Sequence, residues 1–233
     1  MEQVRIIEAF IEMENNTESI DKMRLWLLTQ KRSCRWENTR YTAEAIFALM
    51  MNGTNWLDES DEAVVKLTAT DVDIINPTEH LVFGGAFRNV LVPIDAVNKS
   101  DNALIINREY LVERISEDGK TKMYVPVNEG DVLNVGDKVM VKLKFEAGQD
   151  MEYVYVKDMR AACFEPVEQN TREHDAYTAF YLDYVSKGKH EVTHYQYVTK
   201  SGSFSGGFAL IQCMYAPEFS AYTSGIRLTI NKK

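Results

Sequence analysis

The sequence predicts an α+β chain that is mostly β: an antiparallel β-sandwich preceded by a short helical segment. Three observations carry this. Apolar residues recur at helical spacing only up to about residue 57, strand-like alternation takes over afterwards, and the later strands are short and punctuated by turn residues. A length of 233 residues fits one large or two small domains. The composition, 45% hydrophobic and 26% charged, is that of a globular chain.

The first helix carries two stripes, Val4, Ile7 and Ile11 on one side and Ile6, Phe10 and Met13 on the other. Asn15 and Asn16 break it, and Thr17 is the expected cap of a second helix over roughly 18–31. That helix places Ile20, Met23, Trp26 and Leu27 on one side, with Leu25 and Leu28 beside them. A third begins near Asn38 or Thr39, buries Ala43, Ile46, Phe47, Met50 and Met51, and stops at Asn52-Gly53. Helices apolar on two sides need cover on two sides, and three helices cannot supply it for one another. Phe10, Met13, Leu25 and Leu28 are the expected uncovered face, through which a second copy could pair.

The strand region opens with Ala63–Ala69, Leu81–Phe83 and Val90–Val92. Tyr110, Val112 and Arg114 then alternate with Leu111, Glu113 and Ile115, and Asp118-Gly119 turns the chain into Met123-Tyr124-Val125. Val139, Val141, Leu143 and Phe145 share one face, opposite Lys138, Lys142 and Lys144. Met151–Val156 follows, and Tyr177–Val185 and Glu191–Val198 flank Ser186–Lys189 as an expected hairpin. Phe208–Met214 and Ile226–Ile230 complete the set. Residues 98–102 are the expected seam within the β region, so that with the change of pattern after Leu57 the chain divides into 1–57, 58–100 and 101–233.

Net charge is −9, which disfavours sequence-independent nucleic-acid binding. No stretch is apolar enough to span a membrane, and the acids of MEQVRIIEAFIEME do not read as a signal peptide. Cys34, Cys163 and Cys213 are too few and too scattered for a disulfide framework or a zinc site, so buried or free thiols are expected.

The sharpest motif match is His190-Glu191-Val192-Thr193-His194, an H-E-x-x-H pattern. On a helix it would hold zinc, with Glu191 as general base, and make the chain a zinc metallopeptidase. The β-branched Val192 and Thr193 and the continuing Tyr195–Val198 predict a strand instead. There the two histidines lie about 13 Å apart, too far for one metal that each must approach to about 2.0–2.1 Å. The Ser201–Gly207 run resembles a phosphate cradle only in composition, and Asp71 and Asp73 lack a calcium-loop ligand set. His80, His174, His190 and His194 define no triad. The aromatic set Tyr177, Phe180, Tyr181, Tyr184, Tyr195 and Tyr197 is expected to form the core and edge of a sandwich. No catalytic residue, cofactor or metal site is predicted. An adhesin or carbohydrate-binding sandwich is a further reading, since such folds host many functions.

The second half resembles the C-terminal macroglobulin-like domain of bacterial α2-macroglobulins. The residues that carry this are Leu133–Val139, Met151-Glu152-Tyr153-Val154 to Asp158, Phe164-Glu165-Pro166-Val167, Phe180–Tyr184 and Gln212–Phe219, in the family's order. Leu25–Leu28 to Trp36–Ala43 resembles the end of that family's thioester domain, an α/α toroid, and by family order the region before residue 100 is part of a CUB-type β-domain. The resemblance implies an Ig-like sandwich acting as a non-catalytic module of an endopeptidase inhibitor in the periplasm or cell envelope. The rest of the macroglobulin is its implied partner, and a target protease meets it only through the full-length protein. The family's thioester joins a cysteine to a glutamine three places on. Here Cys34, Cys163 and Cys213 are followed at that place by Glu37, Pro166 and Ala216, and no bait segment is recognisable.

Overall fold

A computed structural model describes residues 2–13, 16–36, 38–50, 64–67, 72–75, 91–101, 103–116, 119–128, 130–167 and 172–232. The chain forms two compact units, Met1–Val90 and Leu91–Lys233.

The first unit contains α1 (Glu2–Met13), α2 (Thr17–Ser33), α3 (Thr39–Met50) and the antiparallel pair β1 (Val64–Leu67) and β2 (Val72–Ile75). The cap of α2 is Asn16, whose side chain accepts from Ser19 N; Thr17 is already helical. Asn38 caps α3 by accepting from Tyr41 N. Val4, Ile7, Ile20, Leu27, Ala45, Ala48 and Leu49 form the helical core. Arg24 is buried among them, held by Asp21 at 2.8 Å and by the carbonyl of Leu49.

The two-sided reading of the helices needs correction at several residues. Phe10 and Leu28 are half-buried against the core, and only Met13 and Leu25 of the expected uncovered set are exposed. Ile46, Phe47 and Met50, expected inside, are also exposed, because α3 turns its alanines Ala45 and Ala48 inward where helices approach closely. The expected stop at Asn52-Gly53 and the segments Leu81–Phe83 and Val90 lie outside the described residues.

The second unit starts with a 3-10 turn, Ile94–Ala96, and continues as β3 (Leu104–Ile115), β4 (Lys122–Val127), β5 (Val132–Asn134), β6 (Lys138–Ala147), β7 (Met151–Met159), β8 (Phe164–Pro166), β9 (Arg172–His174), β10 (Tyr177–Val185), β11 (Gly188–Val198), β12 (Gly202–Ser205), β13 (Ala209–Cys213), β14 (Ala216–Tyr222) and β15 (Arg227–Asn231). Among the described residues these make one sheet in the order β14-β13-β7-β10-β9, a second in the order β4-β3-β6-β11-β8, and a three-stranded sheet β12-β15-β5. Among the described strand pairs only β15 and β5 run parallel. Alternation builds the core, with Val139, Val141, Leu143 and Phe145 of β6 meeting Val154 and Val156 of β7 and Ile211 of β13.

One connection departs from expectation. Tyr177–Val185 and Glu191–Val198 do not pair as a hairpin: β10 joins β7 and β9, whereas β11 joins β6 and β8 in the other sheet. The chain changes sheet at Ser186-Lys187, where Asp150 Oδ1 accepts from Lys187 N at 2.7 Å and Gly188 adopts φ 125°. That backbone conformation is open to glycine and strained for other residues.

Candidate functional site

H-E-x-x-H lies on strand β11. His190 and His194 both point to the core side, but at different depths. His190 is half-buried at the rim, stacked on Phe145 at 5.4 Å, with Nε2 donating to the Ser186 carbonyl at 2.7 Å. His194 is buried, with Nε2 at 2.8 Å from Asp158 Oδ2. Both Nε2 atoms therefore carry protons toward acceptors, whereas a zinc ligand needs that lone pair free. Glu191 points the other way, to Lys142 at 3.1 Å.

His174 stacks on Tyr177 at 4.3 Å, far along the sequence from either of these, while His80 and Asp71 lie outside the described residues and Asp73 sits on β2. Cys163 and Cys213 are buried and unbridged, and burial pushes the Cys163 thiol up to about 11. Of the aromatic set, Tyr181, Tyr184 and Tyr197 are exposed and the others half-buried; Phe180 packs against the core.

Sequence reasoning missed two arrangements. The first is a buried ion pair with a histidine hydrogen-bonded to it, between the two large sheets. Arg108 on β3 and Asp158 on β7 are each 3% exposed and meet at 3.0 Å, and His194 on β11 takes the second carboxylate oxygen. Arg108 also donates to the carbonyls of Gly206 at 3.1 Å and Gly207 at 2.6 Å. The glycine-rich run thus offers acceptors to a cation, the opposite polarity to a phosphate cradle. Both glycines are needed there. A Cβ on Gly207, which has φ 59°, would lie 2.6 Å from Met159 Cβ, and one on Gly206 would lie 2.7 Å from Ile226 Cγ2. Burial by itself would raise the Asp158 pKa. The Arg108 charge and the His194 hydrogen bond outweigh it and hold the carboxyl below its usual range. The available signal was a charge at an inward position: Asp158 continues the buried face of Val154 and Val156, and Arg108 that of Leu104 and Ile106.

The second arrangement is an aromatic corner at the β13–β14 turn. Tyr153, within β7, has φ 56°, the only positive value at a described non-glycine residue. The β7–β10 ladder steps over it, pairing Val154 with Leu182 and Glu152 with Tyr184, and β13 shifts register between Gln212 and Cys213. The Tyr153 carbonyl accepts from Met214 N at 2.9 Å, and its ring meets Tyr215 edge-on at 5.3 Å. Tyr153 is 43% exposed, Met214 51% and Tyr215 73%. A bulky residue held in the left-handed region costs about 1–3 kcal/mol. Here the cost fixes a tyrosine–methionine–tyrosine knob in solvent.

Comparison with known proteins places the β unit. Residues 104–218, just under half of the chain, match the family described as the bacterial alpha-2-macroglobulin MG10 domain. The matched stretch runs from β3 into β14 and is similar to a macroglobulin domain of that bacterial type. Among solved structures, the chain resembles Escherichia coli alpha-2-macroglobulin activated by porcine elastase at 16% identity and TM-score 0.53, covering 98% of this chain and 23% of that one. Trypsin-activated alpha-2-macroglobulin from Escherichia coli gives 14% identity and TM-score 0.53, over 87% of this chain and 16% of that one. Salmonella alpha-2-macroglobulin reacted with methylamine gives 15% and 0.50, over 85% and 15%. At these identities the likeness is one of fold, and the chain spans less than a quarter of each of these proteins. No curated protein sequence matches the chain.

Proposed function

We propose that this chain is a non-catalytic docking module of a bacterial α2-macroglobulin-like endopeptidase inhibitor of the periplasm or cell envelope. The observation that carries the reading is the aromatic corner. Strained backbone, a register shift and exposed apolar side chains coincide at one turn of a domain whose relatives are parts of much larger molecules. Strain of this kind persists where surrounding structure serves a contact. On this reading the corner packs against the thioester-bearing region of the parent. The helices are the tail of that region's toroid, residues 58–100 are part of a CUB-type domain, and 101–233 is the docking sandwich. The three cysteines lack the glutamine that a thioester needs, so the module works without covalent chemistry.

Two measurements test this. The chain alone, mixed with trypsin or elastase, should leave proteolysis of a protein substrate unchanged, and methylamine should add no mass to it. Stoichiometric inhibition, or a methylamide adduct at a glutamine, overturns the non-covalent reading. Separately, Tyr215→Ala with Met214→Ala should leave the melting temperature within a few degrees of wild type, since both side chains are exposed. The same pair should weaken binding to the separately expressed upstream portion of the parent by tenfold or more, as loss of an aromatic anchor does. Unchanged binding overturns the assignment of the corner.

A further inference from the structure

The stretch that leads into the sandwich lies on it mainly through polar contacts, with Val97 its one half-buried apolar side chain. None of residues 91–101 is buried. Leu91, Val92 and Ile94 are exposed and Val97 is only half-buried, so apolar burial holds the segment down weakly. Pro93 starts the 3-10 turn of Ile94–Ala96, which lies against the β14–β15 connection. Gly225 N donates to the Val97 carbonyl at 2.9 Å, and Ser100 and Tyr222 exchange two backbone hydrogen bonds at 2.9 and 3.0 Å. One ion pair adds to these: Arg227 Nη2 lies 2.5 Å and Nε 3.1 Å from Asp95 Oδ2.

The receiving surface is shaped for this segment. A Cβ on Gly225 would lie 2.5 Å from the Ile94 carbonyl oxygen and 2.6 Å from Asp95 Cα, so only glycine leaves room for the turn. Gly225 does not need glycine for its own conformation, since its φ lies outside the left-handed region. Its role is the close approach.

We propose that residues 91–101 are a releasable strap, closed on the β14–β15 turn and able to detach without opening the sandwich core. Detachment of residues 94–100 frees about 23 Å of extended chain, at ~3.3 Å per residue, between the first unit and β3. The strap therefore sets how much slack the upstream part of the molecule has. This device is independent of what the aromatic corner meets.

Hydrogen exchange on the full chain tests it, with the amides of Gly225 and Ser100 as reporters and those of β6 and β7 as the core reference. In the wild type the reporters should exchange by local opening, faster than the core. Asp95→Asn should speed them about 2–5-fold, the range of one surface ion pair. Raising salt to 1 M should do the same in the wild type and add nothing in Asp95→Asn. Gly225→Ala should speed them about tenfold or more, because the added methyl displaces the turn, and should leave β6 and β7 unchanged. The proposal is overturned if the reporters open only together with the core, or if Gly225→Ala leaves them unchanged. It is equally overturned if that variant exposes β6 and β7 as well.

Discussion

Asp158 bears more electrostatic responsibility than any other described side chain of the β unit. It is buried, it is the carboxylate paired with Arg108 among the described residues, and it accepts the His194 Nε2 hydrogen bond. Removing one partner of a buried pair leaves the other uncompensated, so Asp158→Ala should destabilise the unit by about 3–5 kcal/mol, read by urea denaturation. The pH dependence follows in sign. The folded-state pKa of Asp158 is lowered, so its contribution is complete above the unfolded value of about 3.9 and is lost as pH falls through the lower folded value. Acid unfolding of the wild type should show this loss, and Asp158→Asn should flatten it; an unchanged acid limb would remove Asp158 as its source. The two histidines of the H-E-x-x-H match should separate sharply. His194→Ala leaves a buried carboxylate oxygen without its donor and should cost about 1–3 kcal/mol or more. His190→Ala, at the rim, should cost less than about 1 kcal/mol. Equal losses, or one equivalent of zinc retained after dialysis and lost in His190→Ala, would contradict the strand geometry. The sequence could exclude the helix here through Val192 and Thr193. It could not show that His194 has a different neighbour, because that neighbour is on β7, thirty-six positions away.

At the scale of elements, alternation was a reliable guide wherever a strand has one wet and one dry face. β3, β6 and β7 are legible in this way, and the β3–β4 turn was readable from Asp118-Gly119, with Gly119 at φ 69°. Partner choice was not legible. Tyr177–Val185 and Glu191–Val198 are separated by a short turn-like stretch, which is how hairpin strands also look. The crossing observed here is accompanied by the Asp150–Lys187 hydrogen bond and a positive φ at Gly188, and neither has a local signature. The short strands β5, β8, β9 and β12 also escaped notice, since three or four residues carry too little periodicity to register. The aromatic corner was hidden for a related reason. Gln212–Phe219 was recognisable as a family landmark, but the exposure of Met214 and Tyr215 comes from the turn between β13 and β14 and from the left-handed Tyr153 beneath it. Nothing in the residue types announces a tyrosine in that conformation, which glycine or asparagine would adopt at lower cost.

At the scale of the whole molecule, the helical unit and the β unit differ in how completely each buries its own apolar residues. The β unit has a contiguous core drawn from both large sheets. The helical core is small, and around it Ile6, Met13, Trp26, Ile46, Phe47 and Met50 remain exposed, Met13 at 73%. No described helix is long and apolar enough to cross a membrane. Apolar area left in water forgoes roughly 25 cal/mol per Å² of possible burial, so covering even a few hundred Å² is a large gain beside the marginal stability of a small domain. A toroid tail has this character, because its outer helices expect neighbours. The helices of the isolated chain should therefore pair with a second copy or open readily, and the two outcomes are distinguishable. Sedimentation velocity over a concentration series should show association, with exchange protection of 2–50 rising in step, if the helices pair. If they open, the same amides should exchange fast at every concentration while β6 and β7 stay protected. Uniform protection of 2–50 and of the β unit in a monomer at micromolar concentration would mean that the helices find full cover within one chain, and the toroid-tail assignment would fail.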